Sequence, residues 1–209
     1  MSITLPAPVV NANLAQAHIF DFSSQNKELE QINITDTEQL CRYVEEMLKQ
    51  KNAQIGIGRY NENRTIYARS PLFAGRTVHL GIDIFAPTGT PVYAPLDGKI
   101  HSFQNNAHFG DYGPTIILEH EGFFTLYGHL STDSLQGLEE GQEITAGQQI
   151  GKMGNTEENG NWPPHLHFQI ITDMQGKKGD YPGVASIQER EKYLELCPDP
   201  NIILKIKQL

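Results

Sequence analysis

The chain has 209 residues, 38% hydrophobic and 20% charged, a balance that supports a folded core and excludes wholesale disorder. A net charge of −9, from 16 Lys and Arg against 25 Asp and Glu, argues against binding nucleic acid or anionic lipid. The 19 glycines and 12 prolines suit short strands better than long helices.

Residues 1–34 show no sustained periodicity and read as an irregular arm. The opening MSITLPAPVVNANLAQAHIF has no basic start, apolar stretch or A-x-A site of a signal peptide. No apolar run approaches the ~20 residues that span a bilayer. Cys41 and Cys197 are too far apart to form a zinc-finger pair and read as reduced thiols. The expectation is a cytoplasmic protein without a transmembrane segment.

Thr35-Asp36-Thr37-Glu38 has the form of a capping box. Leu40, Val44, Met47 and Leu48 follow at helical spacing, predicting an amphipathic helix that ends near Asn52. Stretches 53–60 and 65–67 then read as strands around an Asn61-Glu62-Asn63 turn. From Arg76 to Ile171 short strands alternate with Gly, Pro and Asn. The clearest hairpin joins Thr115–Glu119 to Phe123–Tyr127 through His120-Glu121-Gly122. A charged helix over 186–196 stops at Pro198. The predicted class is mainly β, α+β overall. Residues 1–75 form an N-terminal extension with helix and hairpin, 76–175 an antiparallel β core, and 176–209 a tail with a short helix.

Three motifs carry chemistry. In PPHLHFQI, strand alternation sets His165, His167 and Gln169 on one face and Leu166, Phe168 and Ile170 on the other. Two histidines at i, i+2 lie about 7 Å apart at Cα and can converge on one small site. In VHLGIDIF, His79, Gly81 and Asp83 share a face, but a straight strand would hold His79 and Asp83 roughly 13 Å apart. If both serve one ion the chain must bend around His79 to Gly81, which glycine permits. In YGHL, His129 ends the second strand of the clear hairpin, where side chains commonly line a cleft. Three N/O donors with an open position match catalytic zinc, and two spare imidazoles can serve as general base and oxyanion donor. Two histidines with one carboxylate also describe non-haem iron oxygenases, so the chemistry stays open at this point.

At these motifs residues 76–171 resemble the zinc metalloendopeptidases of the lysostaphin/LytM type, which cut peptidoglycan cross-bridges. The matching residues are His79-Leu80-Gly81-Ile82-Asp83, Tyr127-Gly128-His129-Leu130 and His165-Leu166-His167, in that order, with GIDIFAPTGTPVYAPLDGKI and GQEITAGQQIGKMGN as context. The resemblance implies one zinc ion per chain held by His79, Asp83 and His167, with His165 as general base and His129 orienting or stabilising the tetrahedral intermediate. It implies a compact antiparallel core whose loops wall a groove, with Tyr112 and Trp162 in that wall, and a peptide substrate. Gln169 stands where the family usually has Glu, and Trp162-Pro163-Pro164 stiffens the approach. Family members are usually periplasmic or extracellular, in tension with the N-terminus. A degenerate binding domain, a biotinyl- or lipoyl-type carrier built on Lys152-Met153, and an amidase for a small cytoplasmic amide remain the alternatives.

Overall fold

The computed structural model describes residues 6–209, so the first five residues of the expected arm lie outside the described residues. In chain order the elements are β1 (His18–Phe20), α1 (Thr37–Gln50), β2 (Gly56–Gly58), β3 (Val78–His79), β4 (Ile82–Phe85), β5 (Pro91–Tyr93) and β6 (Gly98–Asn106). They continue as β7 (Gly113–Glu119), β8 (Phe124–Gly128), β9 (Glu143–Ile144), β10 (Gln149–Lys152), β11 (His165–Ile171), β12 (Val184–Ala185), α2 (Arg190–Leu196) and α3 (Asn201–Leu204). The protein is mainly β, as its short apolar runs and frequent turn residues predict.

Eight strands form one sheet in the order β1-β2-β4-β11-β8-β7-β6-β9. Its pairings are antiparallel except at the edge, where β1 runs parallel to β2. The predicted hairpin is β7–β8, with Glu119 opposite Phe124. Two ribbons, β5–β10 and β3–β12, flank the sheet. Strand β11 lies between β4 and β8, which explains why all seven of its residues are buried. Leu166, Phe168 and Ile170 enter the largest core cluster with Ile57, Ile82 and Ile84, each apolar side chain contributing about 1.5–3 kcal/mol on full burial. The opposite face of β11 is thereby left to His165, His167 and Gln169.

Helix α1 buries Leu40, Val44 and Met47, the stripe its sequence period marks. It covers a second cluster with Phe20, Phe22, Phe85 and Trp162. Its cap differs from the predicted box by one residue. Asp36, not Thr35, is the N-cap, and its carboxylate accepts from the backbone N–H of Glu38 and Gln39. Thr35 instead donates its hydroxyl to Asn33.

The expected hairpin around Asn61-Glu62-Asn63 does not form. Only Gly56–Gly58 is strand, and Ile66–Arg69 makes a 3-10 turn. Ile66 and Tyr67 are both buried, which strand alternation on a half-exposed sheet does not allow. Arg64, just before them, turns inward and is 2% exposed. The tail helix begins later than predicted, at Arg190. Cys41 and Cys197 are free thiols, as expected.

Candidate metal centre

The bend predicted at Gly81 separates β3 from β4. Val78–His79 pairs with β12, and Ile82–Phe85 crosses to pair with β11 and β2. The fold back removes the 13 Å problem, because His79 Nε2 now lies 3.2 Å from Asp83 Oδ1. Glycine is required for more than the bend. A Cβ at position 81 would stand 2.5 Å from His167 Cε1 and 2.8 Å from the Phe168 carbonyl oxygen.

Register supplies the rest. His167 lies opposite Asp83 on one side and Gly128 on the other, so cross-strand neighbours about 5 Å apart carry the motif residues to one place. His129 follows Gly128 with φ +63°, a left-handed conformation that histidine adopts more readily than bulky apolar residues. Its ring centroid comes to 4.1 Å from that of His165. All five residues are at most 5% exposed.

Hydrogen bonds fix the proton on each ring. A carbonyl can only accept, so His79 Nδ1–H donates to Arg59 O (2.8 Å), His165 Nδ1–H to Pro163 O (2.7 Å) and His129 Nδ1–H to Asn159 O (2.8 Å). The Nε2 atoms of these three rings therefore carry free lone pairs. His167 is arranged the other way round. The Gln169 amide nitrogen donates to Pro182 O and Cys197 Sγ, which turns Oε1 toward His167 Nε2 at 2.8 Å. His167 Nε2 thus carries the hydrogen and Nδ1 is free.

Three acceptors then face one another without a proton between them. His79 Nε2, His167 Nδ1 and Asp83 Oδ1 are separated by 3.0, 3.1 and 3.2 Å. A tetrahedral ion with bonds of about 2.0 Å has ligands roughly 3.3 Å apart. Converging lone pairs at this spacing repel unless a cation lies among them, so the donor set fits zinc. Among the described residues this trio is the group of His, Cys, Asp and Glu close enough to share an ion.

Sequence patterning did not reveal the support behind Asp83. Arg64 Nη1 donates to Asp83 Oδ2 at 2.5 Å, and Arg64 Nε donates to Glu62 Oε2 at 2.9 Å. The guanidinium occupies the outer carboxylate oxygen and leaves Oδ1 pointing at the histidines. Both acids beside it are buried, Glu62 8% and Asp83 3% exposed. Burial pushes the Asp83 carboxyl upward, but His79 and Arg64 outweigh it and hold the group well below the usual range. Burial, with Arg64 nearby, brings His79 down to about 3. Burial likewise lowers His165 and His129, the latter also through its neighbours His165 and His167. Both rings are neutral at neutral pH.

Tyr112 and Trp162 both line the cavity beside these residues, a space of about 200 Å³. The Tyr112 ring packs against His129 and His167 at 5.6 and 5.1 Å between centroids. Trp162 meets both His129 and His165 edge-on at 6.4 Å. Leu40, Val44, Ile66 and Phe73 also line this space. Lys152 lies within β10 rather than at a hairpin tip, which removes the basis for a carrier domain.

A β-sheet that brings four proton-directed imidazoles and a buried aspartate around one point defines a metallohydrolase type of site. Residues 77–180 match the family described as Peptidase family M23, and the chain belongs to that family through this segment. It is 32% identical over 117 residues to the peptidoglycan DD-endopeptidase ShyA of Vibrio cholerae, covering 54% of this chain and 25% of that protein. It is 38% identical over 111 residues to the DD-carboxypeptidase/endopeptidase Mpg of Neisseria gonorrhoeae, covering 52% and 24%. The chain thus spans about a quarter of the length of these curated relatives. Among solved structures, the catalytic domain of lysostaphin from Staphylococcus simulans is 30% identical, with 62% of this chain and 80% of that one covered and a TM-score of 0.45.

Proposed function

We propose that this protein is a zinc-dependent endopeptidase acting on peptide bonds of peptidoglycan-type or related small peptides. The observation that carries the reading is the trio of unprotonated donors, with two further imidazoles presenting free Nε2 atoms beside it. His79, Asp83 and His167 would hold the ion. Zinc supplies Lewis-acid polarisation of a carbonyl and acidification of a water molecule.

The chain's own groups divide the remaining work. His165 Nε2, neutral and 3.8 Å from Asp83 Oδ1, accepts the proton of the attacking water. Its Nδ1–H bond to Pro163 O keeps that lone pair aimed inward and stabilises the ring when it becomes charged. His129, its ring centroid 4.1 Å from that of His165 and its Nε2 unprotonated, accepts a hydrogen bond that orients the attacking water. Tyr112 and Trp162 exclude water from the two rings.

This reading takes residues 1–75 as an extension, 76–175 as the catalytic core and 176–209 as a tail that reaches the site through Cys197 and Gln169. Among the described residues no helix is long and apolar enough to cross a membrane. Cleavage of wall peptides would require the protein outside the cytoplasm; cleavage of a free small peptide would not.

Elemental analysis of protein purified without chelator, alongside peptide hydrolysis, tests the assignment. We expect one zinc per chain, lost together with activity in His167→Ala. His165→Ala and His129→Ala should keep zinc while turnover falls by about 10²–10⁴. Loss of zinc in either would show that the ligands are misassigned, and a metal-free wild-type protein after zinc is offered would overturn the reading.

A further inference from the structure

We propose that the apolar part of the cavity is a side-chain subsite, and that the substrate is a short peptide with a bulky apolar residue beside the bond to be cut. The inference rests on the peptidase reading and adds the class of substrate.

The cavity is lined by Asp83, His129, His165 and His167 together with an apolar set, Phe22, Leu40, Val44, Ile66, Phe73 and Trp162. Phe22, Leu40, Val44 and Ile66 are at most 4% exposed, whereas Lys177 and Asp180, also in the lining, face solvent. Arg64, whose guanidinium lies over Phe22 and lines the cavity, is engaged by Glu62 and Asp83, whereas Arg69, over Trp162, is not among the lining residues. Among these apolar lining residues the unpartnered polar atom is Trp162 Nε1–H, a single donor, so a polar side chain entering there would leave most of its hydrogen bonds unmade, which is costly. An apolar one would lose only water.

Size narrows the occupant further. A cavity of roughly 150 Å³ with such a lining accepts a benzene ring, whereas pockets that bury a drug-sized molecule measure about 300–1,000 Å³. The ≈200 Å³ here suits one aromatic or branched side chain. The apolar set also has a separate origin from the metal site. Except for Trp162 its six residues lie outside the 77–180 segment that matches the peptidase family, in β1's exit, α1 and the turns before β3. The extension therefore adds a selective surface to a site that the family segment builds.

The test is calorimetric binding to zinc-loaded His165→Ala protein of three N-acetyl dipeptide amides: Gly-Gly, Gly-Phe and Phe-Gly. One of the two Phe peptides should bind about tenfold tighter than Gly-Gly or better, the gain from burying an aromatic side chain. Val44→Phe in the same background, which fills the apolar part of the cavity, should erase that difference. Phe73→Ala, which enlarges the space, should shift preference toward a Trp peptide. Equal affinity for all three peptides overturns the subsite, whether or not the variants fold. A Phe preference in a protein whose wild type hydrolyses no peptide would overturn the peptidase reading and leave the subsite standing. Hydrolysis without preference would do the reverse.

Discussion

The chemistry of the candidate site is decided by which ring nitrogen carries a hydrogen, and the least obvious of these decisions is made by Gln169. Its amide uses both ends: Oε1 accepts from His167 Nε2, while the nitrogen donates to Pro182 O and Cys197 Sγ. Two substitutions separate these duties. Gln169→Leu removes the acceptor, frees the His167 ring to change tautomer, and should weaken zinc binding about 10–100-fold, read by competition with a chromophoric chelator. Gln169→Glu keeps an acceptor for His167 and should retain zinc. It leaves the half-buried Pro182 carbonyl without its donor, so the fold should lose about 1 kcal/mol in denaturant unfolding. Equal zinc affinity in both variants would show that Gln169 does not set the tautomer. The alternation of PPHLHFQI places Gln169 on the histidine face, so its neighbourhood was legible in sequence. Its partners were not, because Pro182 and Cys197 come from a tail with no periodic relation to β11. Arg64 was hidden for the same reason: its partners Glu62 and Asp83 are brought to it by a turn and a strand that meet only in the folded chain.

At the scale of elements, legibility follows how local the determining interactions are. The β7–β8 hairpin and the burial stripe of α1 depend on neighbours within a few residues, and both were readable. The cap of α1 was displaced by one position because Asp36 and Thr35 are both competent caps and the Asn33 side chain draws the Thr35 hydroxyl away. The strand expected at 65–67 failed because its side chains serve a cluster assembled by α1 and β4. The break between β3 and β4 is the informative case, since it followed from requiring His79 and Asp83 to share one ion. Its glycine can be tested directly. In Gly81→Ala the new methyl group meets backbone at Phe168 as well as the His167 ring, so the ring cannot simply rotate aside. The variant should fold, with near-native circular dichroism, yet bind zinc at least about tenfold more weakly through displacement of a ligand. Native zinc affinity would mean that the β3–β4 bend has enough slack to absorb a side chain.

For the molecule as a whole, burying a neutral histidine cluster makes stability depend on pH. Burial lowers His79, His129 and His165 below the ordinary histidine value of 6.5. The unfolded chain therefore binds more protons than the folded one once pH drops to about 6.5. Stability is complete above that point and declines as pH falls through the window between 6.5 and the lowered folded values, by up to ~1.4 kcal/mol per pH unit for each histidine. Asp83 adds nothing in this window, because its carboxyl is held well below its usual value and stays ionised in both states until stronger acid. The metal-free protein should accordingly melt at progressively lower temperature from pH 7 to pH 5. His129→Phe, which removes one buried proton acceptor while filling much the same space, should flatten that slope without abolishing it. Loading with zinc should raise the melting temperature throughout this window, since the ion binds the folded chain and His79 stays unprotonated there. A melting temperature independent of pH across this range in the metal-free protein would mean that the rings are open to solvent, and the buried cavity lining on which the apolar subsite depends would not exist in solution.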